Sequence, residues 1–138
     1  MQTIPEPYVN GDAFSALCGM RITHMEKNYA EACVTISEKH LNLLKIPHGG
    51  IYFVLADFVF GAAVDYLSVN MVTLNASIEF LASANLGDVL TAVSRDTGST
   101  RTIIRHDITI TNQDAKVMAV VHCTGYKKGR NKGERSTN

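Results

Sequence analysis

The chain is expected to fold as an α+β domain in which a curved antiparallel sheet wraps around one long central helix. Two patterns carry that expectation. From Ile51 to Val64 every residue but Asp57 is apolar or glycine, 14 residues in all, inside a helical run that opens at His48-Gly49-Gly50 and ends near Leu67. No strand runs so long without a turn signal, so length decides for helix. Downstream, four segments of period-two character are separated by tight turns, which join strands in antiparallel order. A helix that is apolar nearly all round must be covered nearly all round. A strongly curved sheet does that, and so does a sheet on one side with a partner subunit on the other.

The elements follow in order. Asn10-Gly11-Asp12 caps a short helix, Ala13 to Leu17, closed by Gly19. Met20 to Met25 and Ala30 to Ser37 read as strands; in the second, Ala32, Val34 and Ile36 alternate with Cys33, Thr35 and Ser37. Glu38 to Pro47 is a loop leading into the long helix. Beyond the helix, Thr73, Asn75, Ser77 and Glu79 share one side of a strand and Leu74, Ala76, Ile78 and Phe80 the other. Turns at 85–88, 96–99 and 112–115 bound the strands Val89 to Arg95, Thr102 to Thr111 and Lys116 to Tyr126. Residues 1–126 are expected to form a single domain, and 127–138 a basic, flexible tail.

At 138 residues and 15.1 kDa there is room for one ordinary domain. A 46% hydrophobic, 19% charged composition excludes global disorder and low-complexity architectures. Thirteen basic and 13 acidic residues cancel, which argues against nucleic-acid binding through bulk positive charge. Three cysteines without metal-ligand or paired spacing exclude a disulfide framework and a zinc knuckle. The stretch from Met1 to Asn10 is polar and is not read as a signal peptide. The longest apolar stretch is too short, and Asp57 too costly, for a membrane span. A cytoplasmic, soluble protein is expected, with neither nucleic acid nor membrane as partner.

Asp57 is the residue to explain. Its helical neighbours at three and four residues are Phe53, Val54, Phe60 and Gly61. A carboxylate buried there costs several kcal/mol unless it is paired, hydrogen-bonded or protonated. It is either a structural aspartate or a base whose pKa burial raises. His48-Gly49-Gly50 stands at the helix start, where unpaired N–H groups and the positive dipole end suit a developing oxyanion. Gly50 and Gly61 remove side chains where a substrate would approach, and Phe53, Phe60 and Tyr52 would line an acyl pocket. Gly49 and Asp57 lie eight residues apart, roughly 12 Å along a helix, whereas groups that act on one carbonyl must come within about 3.5 Å of it. If they form a site, two antiparallel helices about a two-fold axis must bring Gly49 of one chain opposite Asp57 of the other. Asn42 could orient a water or shape an Asx turn, Thr73 could bond Asp57, and His48 could fix the loop or polarise a carbonyl. His106, on an apolar strand face, reads as a satisfied core histidine, and no histidine has the spacing of a metal ligand.

Asn42 to Asp57, as N-x5-HGG-x6-D ending in Leu55-Ala56-Asp57, resembles the hotdog-fold acyl-CoA thioesterases of the phenylacetate-degradation (PaaI-like) branch. Val72 to Leu81 and Asn85-Leu86-Gly87-Asp88 are similar to that family's second landmark. The resemblance implies a sheet wrapped about a long helix, dimers that share a continuous sheet, and often tetramers built from two dimers. It implies that the Gly49 N–H binds the thioester oxygen and that Asp57 of the neighbouring subunit is general base or nucleophile. Asn42 would hold the water or substrate, Thr73 would support the carboxylate, and His48 is the motif histidine. The chain departs from the family in Leu44-Lys45-Ile46-Pro47, where relatives commonly carry a glycine, and at Asn75, which is often acidic in relatives.

The leading expectation is an acyl-CoA thioesterase acting on aryl- or medium-chain thioesters, with no cofactor beyond the coenzyme A of its substrate. The alternatives are a non-catalytic acyl-CoA-binding protein, a hydratase on the same fold, and a structural dimer. Arg95, Arg101, Lys127 and Lys128 are the basic residues available for the coenzyme A phosphates.

Overall fold

The computed structural model describes residues 3–129. A wide helical turn, Pro7–Gly11, precedes α1 (Ala13–Leu17), and β1 (Arg21–Glu26) and β2 (Tyr29–Thr35) form a hairpin. A 3-10 turn, Glu38–His40, leads toward α2 (Gly49–Val64) and the single turn α3 (Tyr66–Val69). Then come β3 (Met71–Phe80), β4 (Val89–Asp96), β5 (Ile103–Thr111) and β6 (Val117–Lys127). The Lys127 N–H donates to the Thr102 carbonyl and the Lys128 N–H to the Asn70 carbonyl, so the chain stays tied down past Tyr126. The expected tail lies from residue 130 onward outside the described residues.

All six strands pair antiparallel in the order β1-β2-β4-β5-β6-β3. The sheet is open: β1 and β3 are its edges, and it neither closes nor curls around the helix. The expected curved wrap is therefore corrected. The reason lies in the helix, which is not covered all round. Ile51, Tyr52, Leu55, Ala56 and 58–64 are buried, whereas Phe53 and Asp57 are exposed and Gly49, Gly50 and Val54 only partly covered. An open sheet covers the buried side, and one stripe of α2 is left uncovered.

The core forms between α2 and one face of the sheet. Ala32 and Val34 on β2, Leu90 and Ala92 on β4, Ile108 and Ile110 on β5, and Ala119 and Val121 on β6 are fully buried there, alternating along each strand as a one-sided sheet requires. Cys33 and Cys123 are buried free thiols; burial pushes the Cys123 thiol up to about 12. His106 is buried among them. Its Nδ1 meets the Ser94 hydroxyl at 2.8 Å, but Nε2 has no hydrogen-bond partner among the described residues, the nearest carboxylate oxygen, on Asp96, being 3.8 Å away. This core histidine is half satisfied.

Two boundaries differ from the periodic reading. The long helix stops at Val64 because Asp65 takes a left-handed conformation (φ 57°), and the next turn is a separate element. In β3 a bulge between Thr73 and Asn75 adds a residue against β6. A bulge changes the face of every residue beyond it, so Thr73 shares the helix side with Ala76 and Phe80 instead of lying opposite them. No helix among the described residues is long and apolar enough to cross a membrane.

Candidate active site

The entry to α2 is built by its own loop. Asn42 Oδ1 accepts hydrogen bonds from the Leu44 and Ile46 N–H groups at 2.9 and 3.3 Å, which shapes the turn carrying Lys45 at φ 65°. The Asn42 carboxamide oxygen thus acts as an Asx-turn acceptor. The His48 N–H donates to the His40 carbonyl, and His48 Nδ1 caps the helix by accepting from the Gly50 N–H at 2.9 Å. That bond places the imidazole proton on Nε2. It also distinguishes the two glycines. The Gly50 N–H is consumed by the ring, while the Gly49 N–H, at the positive end of the helix, has no acceptor among the described residues. A Cβ at Gly49 would lie 3.1 Å from the Phe80 ring, so glycine here keeps an aromatic wall close to that donor.

Two turns further along, Asp57 stands on the uncovered stripe and accepts a hydrogen bond from the Thr73 hydroxyl at 2.9 Å. It is exposed in the single chain, so the burial expected for it is not present there. Gly61 lies one turn beyond Asp57 and lines the same cavity. A Cβ at that position would lie 2.6 Å from the ring of Tyr66, so the glycine makes room for this side chain. Tyr52 and Phe60 are withdrawn from the expected acyl pocket. Phe60 is fully buried beside His106, and the buried Tyr52 hydroxyl accepts from the Ala84 N–H at 3.1 Å.

Three cavities lie along α2. Asn42 and Gly49 line one of about 380 Å³ with Tyr52, Phe80 and Leu81. Phe53, Asp57, Gly61 and Thr73 line a second of about 680 Å³, together with Asp12, Phe14, Phe58 and Tyr66. His48 and Gly50 line a third of about 530 Å³, which shares Phe14 and Val54 with the second. The structure thus distributes the sequence-derived residues over three cavities, with the oxyanion-type donor Gly49 and the carboxylate of Asp57 in different ones. The basic residues lie elsewhere: Arg95 stacks over the Tyr29 ring at 4.8 Å, and none of Arg95, Arg101, Lys127 and Lys128 lines these three cavities.

Asp12, Phe14 and Tyr66 were not legible as site residues. Asp12 reads as a helix cap, which it is, its carboxylate accepting from the Ser15 N–H at 3.0 Å. Tyr66 reads as a continuation of the long helix. The one signal was Asp65, a residue type that tolerates the left-handed turn. Burial, followed by the Asp12 and Asp57 carboxylates, raises the Tyr66 phenol above its ordinary pKa.

Residues 44–119 match the thioesterase superfamily. The acyl-coenzyme A thioesterase PaaI of Escherichia coli is 30% identical over 118 residues, 86% of this chain and 84% of that one. The solved structure of E. coli PaaI, from the phenylacetic acid degradation operon, superposes with a TM-score of 0.81 over 86% of each chain. A hypothetical thioesterase of Streptococcus pneumoniae, solved with coenzyme A, is 30% identical and superposes at 0.80 over 88% of this chain and 95% of its own. Structures of that protein also exist with an aspartate and, 16 positions later, a threonine each replaced by alanine. A Streptococcus mutans protein solved with acetyl-CoA is 31% identical, with a TM-score of 0.75 over 82% of this chain and 91% of its own.

Proposed function

Because the chain belongs to the thioesterase superfamily, in its PaaI-like hotdog-fold branch, we propose that it hydrolyses aryl- or medium-chain acyl-CoA thioesters at a site shared between two copies of the chain. As a family member it is a thioester hydrolase, and its substrates are of the acyl-CoA type. The finer reading rests on one observation: an unclaimed N–H at Gly49 and a threonine-bonded carboxylate at Asp57 lie on the same uncovered helical stripe, with exposed Phe53 midway between them. Their separation along the helix, roughly 12 Å, is too great for one carbonyl. An antiparallel copy of the helix, crossing at Phe53, sets each Gly49 opposite the other chain's Asp57. The half-cavities around them then combine, and the partner supplies the burial that Asp57 lacks alone.

In this site the thioester oxygen lies against the Gly49 N–H, where the helix dipole favours the negative charge that develops on it. Thr73 holds Asp57 Oδ1, leaving Oδ2 to act. As general base it takes a proton from water while the water oxygen bonds to the carbonyl carbon. The tetrahedral oxyanion collapses, the C–S bond breaks, and coenzyme A leaves with a proton. As nucleophile, the same oxygen would form an anhydride that water then cleaves. A single turnover in oxygen-18 water separates the two, since label enters the Asp57 carboxylate only by the second route. His48 fixes the helix entry through Gly50, and Asn42 shapes the loop and lines the Gly49 cavity. The aspartate and threonine exchanged in the pneumococcal protein have the same spacing as Asp57 and Thr73, which supports this assignment.

The test is turnover of aryl- and alkanoyl-CoAs by wild type and Asp57→Asn, an exchange that keeps the Thr73 contact. The expected loss in kcat is about 100-fold or more with binding retained. Acyl-CoA binding without turnover by wild type would return the carrier reading, and an Asp57→Asn enzyme with unchanged kcat would remove Asp57 from the chemistry.

A further inference from the structure

Tyr66 has no part in that chemistry, yet it is held firmly in the cavity beside Asp57. The left-handed Asp65 breaks the helix axis and folds Tyr66 back over α2, where only a glycine admits it: a Cβ at Gly61 would come within 2.6 and 2.7 Å of two ring carbons. Behind it stands Tyr8, edge-on with ring centroids 5.5 Å apart, itself fully buried and anchored by a 2.8 Å hydrogen bond from its hydroxyl to Asp65. The Tyr66 ring is therefore backed by Tyr8 and floored by Gly61, and it lines the cavity together with Asp57, Thr73, Phe14 and Phe58.

We propose that Tyr66, admitted by Gly61 and braced by Tyr8, is the end stop of the cavity beside Asp57 and sets the length of acyl group the enzyme accepts. The inference rests on the thioesterase reading above. This cavity suits the acyl group: it is the largest of the three, and its walls include Phe14, Phe53, Phe58, Met71 and Val72, whereas the Gly49 cavity adds Asn42 and Ser83, whose polar atoms suit the amides of the coenzyme A arm. Two substitutions should move the stop in opposite directions. Tyr66→Ala removes it. Gly61→Ala adds a methyl group beneath a ring that cannot retreat against Tyr8, and so drives the ring into the cavity.

The experiment measures kcat/KM over straight-chain acyl-CoAs of graded length for wild type, Tyr66→Ala, Tyr66→Phe and Gly61→Ala. Affinity for the matching S-alkyl-CoA thioethers, which cannot be hydrolysed, is measured in parallel. Tyr66→Ala is expected to move the preference to longer chains and Gly61→Ala to shorter ones, by about tenfold in the long-to-short ratio for each methylene gained or lost. Tyr66→Phe, which keeps the ring, should retain the wild-type profile. Profiles that stay parallel across all four proteins would overturn the proposal, as would a shift of the same sign in both alanine variants. A wild type that hydrolyses no thioester, while the thioether affinities shift as described, would support the stop and overturn the hydrolase reading instead.

Discussion

The Thr73 hydroxyl occupies one oxygen of Asp57 at 2.9 Å, which orients the carboxylate and leaves its second oxygen available. His48 acts in a comparable way at the other pole: by taking the Gly50 N–H it leaves Gly49 as the helix-end donor. His106 belongs to a different problem, that of stability. Burial lowers its pKa, and the opposing pull of Asp96 and Asp107 is weaker. The folded chain therefore holds it neutral beside Ser94, Phe60 and Cys123. Protonation favours the unfolded state, so the stability at stake is complete above the ordinary histidine pKa of about 6.5 and is lost as pH falls from there toward the folded value. The urea midpoint should drop between pH 7 and pH 5, and His106→Gln should flatten that drop; equal pH slopes in the two proteins would contradict it. Asp88 and Asp96 act in a separate, more acidic window. Hydrogen bonds hold both below the usual carboxylate range, and their contribution disappears as pH falls through and below about 4.

At the scale of elements, β3 is an edge strand ten residues long with little of its surface buried, a template for pairing with another chain. Its register in a shared sheet follows from the site. Thr73 lies at Asp57 and Phe80 at Gly49, so setting Gly49 opposite Asp57 of the second copy sets Phe80 near its Thr73. The two β3 strands then cross near Ala76 and Ser77. In a Cys18→Ser background, Ser77→Cys should give an intermolecular disulfide on mild oxidation. Glu79→Cys should not, because its twin would lie about five residues, or ~17 Å, along the strand. Cross-linking at 79 but not at 77 would contradict the register. The strands themselves were readable, since apolar alternation along β4, β5 and β6 is what a one-sided sheet requires. The bulge was not, because a single extra residue leaves no mark on composition, yet it alone turns Thr73 toward Asp57. Nor was the end of α2, where one left-handed residue outweighs continued helical character in 66–69.

Across the whole molecule, the open sheet and the free stripe on α2 are two sides of one fact. Strand order is set by long-range pairing that no local pattern encodes, so the expected wrap rested on the apolarity of the helix and on the family resemblance. Asp57, Gly49, Phe53 and their spacing were legible because helix geometry converts sequence separation directly into distance. The same geometry supplied the other expectation, a sheet on one side of the helix and a partner subunit on the other, of which the described chain shows the sheet and an uncovered stripe. In the proposed dimer, Phe53, 37% exposed at the midpoint of the stripe, is the contact about which the two copies turn.

The most direct test mixes two inactive chains, Gly49→Pro and Asp57→Ala. Proline is tolerated at the first helical position, where it removes the N–H, and its Cβ requires the Phe80 ring, 3.1 Å away, to give slightly. Each mixed dimer regains one site, with Gly49 from one chain and Asp57 from the other. Random exchange of equal amounts makes half the dimers mixed with one of two sites intact, so the account predicts recovery to about a quarter of wild-type activity. No recovery from chains shown by differential tagging to have exchanged would contradict a site shared between subunits.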